Sequence, residues 1–123
     1  MKLPGAGGVA VPCHPGRPNV GLCEHYAKKP PLENVIAVEV LNGGSRKGED
    51  ERSAELIAKY GFAATGGSDS HLVSLIGLCA TKFSAYIKTI EDLVQELKAG
   101  NYEPVDFRPR RKAVPHAVAM ETR

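Results

Sequence analysis

No apolar run in the 123-residue chain approaches the roughly 18 residues that a membrane helix needs, which argues against an integral membrane protein. The opening Met1-Lys2-Leu3-Pro4-Gly5 passes into Gly and Ala without the apolar block of a signal peptide, so a cytoplasmic setting is expected. Cysteine is scarce: Cys13, Cys23 and Cys79 are odd in number and irregular in spacing, which excludes a disulfide framework and predicts reduced thiols. No internal repeat is visible. Nor does one sign of charge dominate, since the net charge is only +2. Much of the basic surplus lies in Arg108, Arg110, Arg111, Lys112 and Arg123, against Glu121 alone, so the body before them is slightly acidic. That distribution argues against nucleic acid as a partner, because a basic groove belongs on the folded body.

What is present suits a soluble globular chain. Hydrophobic residues make up 42% and charged residues 24%. A chain of this size can bury roughly 65% of its unfolded surface, enough for a core without disulfides or a structural metal.

Val9-Ala10-Val11 reads as a short buried strand that ends at Pro12-Cys13-His14-Pro15-Gly16. The run Val35 to Leu41 is apolar on both alternating faces and closes at Asn42-Gly43-Gly44, the pattern of a parallel strand covered on both sides. Phe62 to Thr65, stopping at Gly66-Gly67-Ser68-Asp69, and Ile76 to Phe83 are the third and fourth strands. One helix lies between the second and third strands and another follows the fourth. Glu49 to Tyr60 has acidic residues in its first turn, Ala54, Ile57 and Ala58 at helical spacing, Lys59 near its end and Gly61 behind it. In the second, Thr89 can cap, Asp92 stands three later, and Ile90, Leu93, Val94 and Leu97 form one apolar face before Gly100. Strand, helix, strand alternation predicts βαβ crossovers and an α/β fold. The proline-rich segment from Arg17 to Leu32 reads as a loop with at most one helical turn. Residues 1–107 are expected to form the α/β unit and residues 108–123 a basic, loosely ordered tail.

In parallel sheets, functional groups gather beyond the carboxyl ends of strands, where loops vary freely. Three such places hold Cys13-His14-Pro15, Glu39 with Asn42, and Asp69-Ser70-His71. Asp69 and His71, two apart after a double glycine, can reach one point, and His14 occupies the equivalent place one crossover earlier. A carboxylate with imidazoles suits Zn, Mn or Fe better than Mg. Spacing alone leaves plainer readings open: Asp69 as the cap of a following turn, and each histidine as polar surface. Cys13-His14 with Cys23-x-His25 offers a Cys2His2 zinc site as an alternative, against which buried free thiols, Cys79 above all, are the simpler reading.

Taken together, Gly7 to Pro15, Ile36 to Gly43, Thr65-Gly66-Gly67-Ser68-Asp69-Ser70-His71, Ile76-Gly77 and Thr81 resemble the C-terminal part of the PHP family. That family, named for polymerase and histidinol phosphatase, comprises metal-dependent phosphoesterases built on a distorted (β/α)7 barrel. The resemblance implies a partial (β/α) barrel of about four mostly parallel strands with flanking helices. It implies a late metal-binding histidine at His14 and the closing ligand pair at Asp69 and His71, with Glu39 and Asn42 beside the pocket. The early ligands of the family have no counterpart: the four histidines are His14, His25, His71 and His116, and none form a His-x-His pair. No catalytic residue is assigned. Three functions from different classes follow: a metal-dependent phosphoesterase hydrolysing a phosphorylated substrate once a partner chain or second copy supplies missing ligands, a non-catalytic metal- or phosphate-binding module, and a structural assembly unit. A half barrel also leaves open strand edges and an uncovered apolar face, which predicts a homo-oligomer.

Overall fold

The computed structural model describes residues 7–25 and 35–109. Strand β1, Ala37–Asn42, is followed by helix α1, Glu49–Tyr60, and strand β2, Ala63–Gly67. β1 and β2 pair in parallel, Ala37 opposite Ala63, with a one-residue irregularity between Glu39 and Leu41. This is the βαβ crossover expected from the alternation of the two apolar runs with a helical period.

Helix α1 begins after Gly48, at φ 90°, and ends at Gly61, at φ 75°, whose N–H bonds Ile57 O at 2.7 Å. Three acidic residues in its first turn and Lys59 in its last complement the helix dipole. The buried face is not the one its alanines mark. Glu49, Ser53 and Leu56 point inward, whereas Ala54 and Ala58 are exposed. Ser53 is tolerated there because its hydroxyl accepts Gly16 N–H at 3.0 Å and donates to Glu49 O at 3.2 Å.

The second half is built differently. Strand β3, Cys79–Phe83, helix α2, Ile90–Ala99, and strand β4, Tyr102–Asp106, form an antiparallel pair around a helix, with Thr81 opposite Pro104. Thr89 and Asp92 cap α2 reciprocally: Thr89 Oγ1 accepts Asp92 N–H at 3.0 Å, and Asp92 Oδ2 accepts Thr89 N–H at 3.2 Å.

The partial barrel of about four mostly parallel strands is therefore corrected. Among the described residues there are two two-stranded sheets, one parallel and one antiparallel, and no barrel. Three physical causes can be named. The run Val9-Ala10-Val11, cut short by Pro12, contributes only a single parallel bridge, Ala10 to Val35, and one bond from Glu39 N–H to Pro12 O at 3.1 Å. Between β2 and β3 the ladder is replaced by a side chain: the Thr81 hydroxyl accepts Gly66 N–H at 2.9 Å and donates to Gly66 O at 2.8 Å. Gly66 permits this approach, since a Cβ there would lie 2.4 Å from Ala80 O. Finally β4, which the sequence reading did not contain, closes on β3 from the opposite direction.

The core is small. Val35, Val38 and Leu56 are buried together, with Ala10, Leu22, Cys23, Ile57 and Phe62 packed against them. No residue of α2 is fully buried, and Ile90, on the face expected to pack, is 75% exposed. Leu72, Val73, Ile76, Tyr86 and Phe107 are exposed as well. Among the described residues, no helix is long and apolar enough to cross a membrane.

Candidate functional site

The carboxyl ends of β1 and β2 and the turn after Pro12 meet at one end of the parallel pair. Glu39 leaves β1 beside its last residue, Asn42, which is 1% exposed. One carboxylate oxygen, Glu39 Oε1, accepts Asn42 Nδ2 at 2.6 Å and the backbone N–H of His14 at 2.9 Å, so it ties the first turn to the strand. Gly67 makes room for this carboxylate, because a Cβ at 67 would stand 2.3 Å from Glu39 Oε2. With its amide nitrogen committed to Glu39, Asn42 turns Oδ1 the other way, where it accepts Gly44 N–H at 2.8 Å and Arg17 Nη2 at 3.2 Å.

Arg17 is the hub. Its Nη1 donates to Asp69 Oδ2 at 2.9 Å and its Nε to Glu49 Oε1 at 3.2 Å. Burial works against its charge, but the hydrogen bonds and charges of Asp69 and Glu49 hold its pKa above the ordinary value. Asp69 shows the reverse balance: burial favours the neutral acid, yet hydrogen bonding and charge from Arg17, with help from Asn42 and His14, hold its carboxyl below the usual range. Ser68 anchors the loop that carries Asp69, accepting Gly77 N–H at 2.6 Å and donating to Cys79 O at 3.3 Å.

Two of these residues sit in left-handed backbone, His14 at φ 30° and Asp69 at φ 50°. Asp tolerates that region better than His, so the His14 turn stores strain held by the Glu39 bond and the flanking prolines. His14 Nδ1 is buried with no hydrogen-bond partner among the described residues, while its Nε2 lies 3.3 Å from Cys13 Sγ. His71 is exposed, and its Nδ1 contacts Asp69 O at 3.1 Å.

An open cleft of about 660 Å³ lies over this network, lined by Arg17, Arg46, Lys47, Glu49, Asp69 and His71, together with Pro18 and Gly44. Beneath it a second arginine braces the end of β1. Arg108 Nη1 donates to Asn42 O at 3.2 Å and pairs with Asp50 Oδ2 at 2.8 Å, and its Nη2 pairs with Asp106 Oδ2 at 2.8 Å.

Of the expected site residues, Glu39 and Asn42 are joined directly, Asp69 is linked to Asn42 through Arg17, and His14 is attached by its backbone. The metal expectation on His14, Asp69 and His71 meets a different arrangement. Among the described residues, no three of His, Cys, Asp and Glu are placed to hold a metal ion. A guanidinium already stands against Asp69 Oδ2, so these residues as arranged do not fit the Zn, Mn or Fe that the family implies. The Cys2His2 alternative fails on the same ground, with the Cys23 thiol donating to Arg52 O at 3.7 Å. Cys79 is a buried free thiol, as its apolar strand indicated, and burial pushes its pKa up to about 11.

Arg17, the centre of this network, has no place among the sequence expectations. It falls three residues beyond His14, inside a proline-rich loop that carries no period. Its nearness to the end of the first apolar run is visible in the sequence, but the acceptors that define it are distant in the chain.

Residues 48–102 match the family model described as PHP-associated, and over these residues the resemblance to the C-terminal PHP region holds. The matched stretch contains Asp69 and His71, while His14, Arg17, Glu39 and Asn42 precede it. No curated protein and no solved structure gives a significant match.

Proposed function

We propose that the chain is a PHP-associated module that binds a phosphate-type anion in the cleft at the carboxyl ends of β1 and β2 without hydrolysing it. The observation that carries this reading is the lining of the cleft. Arg46 and Lys47 are exposed in it and have no salt bridge among the described residues, and together with Arg17 they outnumber the two carboxylates of the lining, Asp69 and Glu49, both of which Arg17 contacts. Those carboxylates weigh against a long polyanion such as nucleic acid, and the size of the cleft suits a small phosphorylated ligand. Three free cysteines suit the reducing cytoplasm that belongs to this reading. The unit is taken as residues 1–107 together with Arg108, which packs against it, with the rest of the basic segment appended. Residues 110–123 lie outside the described residues.

Calorimetric titration with inorganic phosphate and with p-nitrophenyl phosphate at low ionic strength tests it. Saturable binding that weakens as salt rises, and that falls at least fivefold in the Arg46→Gln/Lys47→Gln double variant, is expected. Absence of binding, or equal binding in the variant, overturns the reading. A second reading, a metal-dependent phosphoesterase completed by a partner chain or second copy, starts from the buried and unpartnered His14 Nδ1 and requires Arg17 to leave Asp69. Turnover of p-nitrophenyl phosphate on adding manganese would select it over the first.

Self-association is part of the proposal. The exposed side chains Leu72, Val73 and Ile76 on one short stretch, with Ile90 uncovered on α2, are the kind of apolar surface that proteins cover. Sedimentation equilibrium at high micromolar concentration should show a homo-oligomer, and a clean monomer there would remove this part of the reading.

A further inference from the structure

We propose that the Arg17 guanidinium is the resident cation of this site and that it closes the site to divalent metal. Each nitrogen of the guanidinium donates: Nε to Glu49, Nη1 to Asp69 and Nη2 to Asn42 Oδ1. The three acceptors come from the first residue of α1, the loop after β2 and the last residue of β1, so the guanidinium joins three elements at one end of the parallel pair.

The fit is built rather than incidental. Asn42 is locked by its bond to Glu39 at one end and by Gly44 N–H at the other, so that an oxygen and not an N–H faces Arg17. Gly44 leaves space for the fork: a Cβ there would lie 3.1 Å from Asp69 Oδ2, 3.2 Å from Asn42 Oδ1 and 3.5 Å from Arg17 Nη2. Asp69 adopts left-handed backbone at the place where its carboxylate meets the guanidinium. A planar cation with divergent donors suits three separate acceptors, as a point charge would not. A divalent ion bound at Asp69 would stand next to this fixed positive charge, and the repulsion opposes its entry.

The inference does not depend on anion binding, because its readout is metal affinity. Equilibrium dialysis with manganese and with zinc, on the full chain, compares wild type with Asp69→Asn, Arg17→Gln, Arg17→Lys and Arg17→Gln/Asp69→Asn. Wild type is expected to show no saturable site lost in Asp69→Asn, and its melting temperature is expected to be the same with and without EDTA. Arg17→Gln frees the Asp69 and Glu49 carboxylates and should gain at least tenfold in metal affinity, with a melting temperature raised by added metal. Arg17→Lys keeps the charge and should stay closed, and the double variant should lose the gain. A folded Arg17→Gln protein that gains nothing overturns the proposal. So does wild-type protein that binds one equivalent of metal and loses it in Asp69→Asn, a result that can be read even where Arg17→Gln does not fold.

Discussion

Gly16→Ala is expected to destabilise the protein by about 3 kcal/mol, the upper part of the range for overpacking a close contact. Gly16 is buried against the start of α1, where an added Cβ would lie 2.0 Å from Glu49 O and 3.0 Å from Arg52 Cβ. Both obstacles belong to the helix itself, so no side-chain rotation relieves the clash and the loop must lift away from α1. Lifting it weakens the bond from Gly16 N–H to Ser53 Oγ at 3.0 Å and the one from Arg52 Nη1 to Gly16 O at 3.2 Å. Each such bond is worth about 1 kcal/mol net. The next residue is Arg17, so the same displacement draws the guanidinium away from Asp69 and Glu49. Urea denaturation followed by circular dichroism gives the measurement. Gly48→Ala is the comparison: its φ is 90° but nothing lies within 4 Å of an added Cβ, so only backbone strain of about 1 kcal/mol applies. Equal losses in the two variants would show that the contact with α1 is not what fixes Gly16.

The contrast between these glycines reflects how much of the molecule could be read from its sequence. Local rules work where the physics is local. The Thr89–Asp92 capping pair and the glycines after Tyr60 and Ala99 mark helix ends that the structure reproduces, and the β-branched run Val35 to Leu41 marks β1. The third strand starts three residues later than its apolar run, since Gly77 at φ 88° breaks extension before Cys79. β4 was hidden by its own composition. Pro104 lies in its middle, which a strand tolerates only where no ladder bond needs that N–H, and β4 is paired on one side only. Strand direction was the larger loss, because nothing local in Tyr102–Asp106 states that it returns antiparallel to β3. At the site the logic is the same. His14, Glu39, Asn42 and Asp69 were found because strand ends are legible, whereas Arg17 is defined by acceptors 25, 32 and 52 residues away.

The same distance rule hid Arg108, which marks where the expected tail begins. Its guanidinium is 19% exposed and sits between Asp50, from the first turn of α1, and Asp106, the last residue of β4, while also donating to Asn42 O. Arg108→Met leaves Asp50 and Asp106 facing one another without a cation and Asn42 O without a donor. Removing one partner of a buried pair costs about 3–5 kcal/mol. With Asp106 42% exposed, solvent screening brings the expected loss down to about 2 kcal/mol. A chain ending at residue 107 should show the same loss relative to one ending at residue 109. Acid supplies an independent readout. The hydrogen bond from Arg108 holds the Asp106 carboxyl below its ordinary range against the opposing effect of burial. A carboxyl depressed in the folded state adds stability that is complete above its unfolded value, about 3.9, and disappears as pH falls through the folded one. Wild type should therefore lose stability below about pH 4, and Arg108→Met should lose less over that interval, the remainder belonging to Asp69 and its bond to Arg17. Unchanged urea midpoints in both Arg108→Met and the 107-residue chain, with an unchanged acid limb, would place Arg108 outside the folded unit.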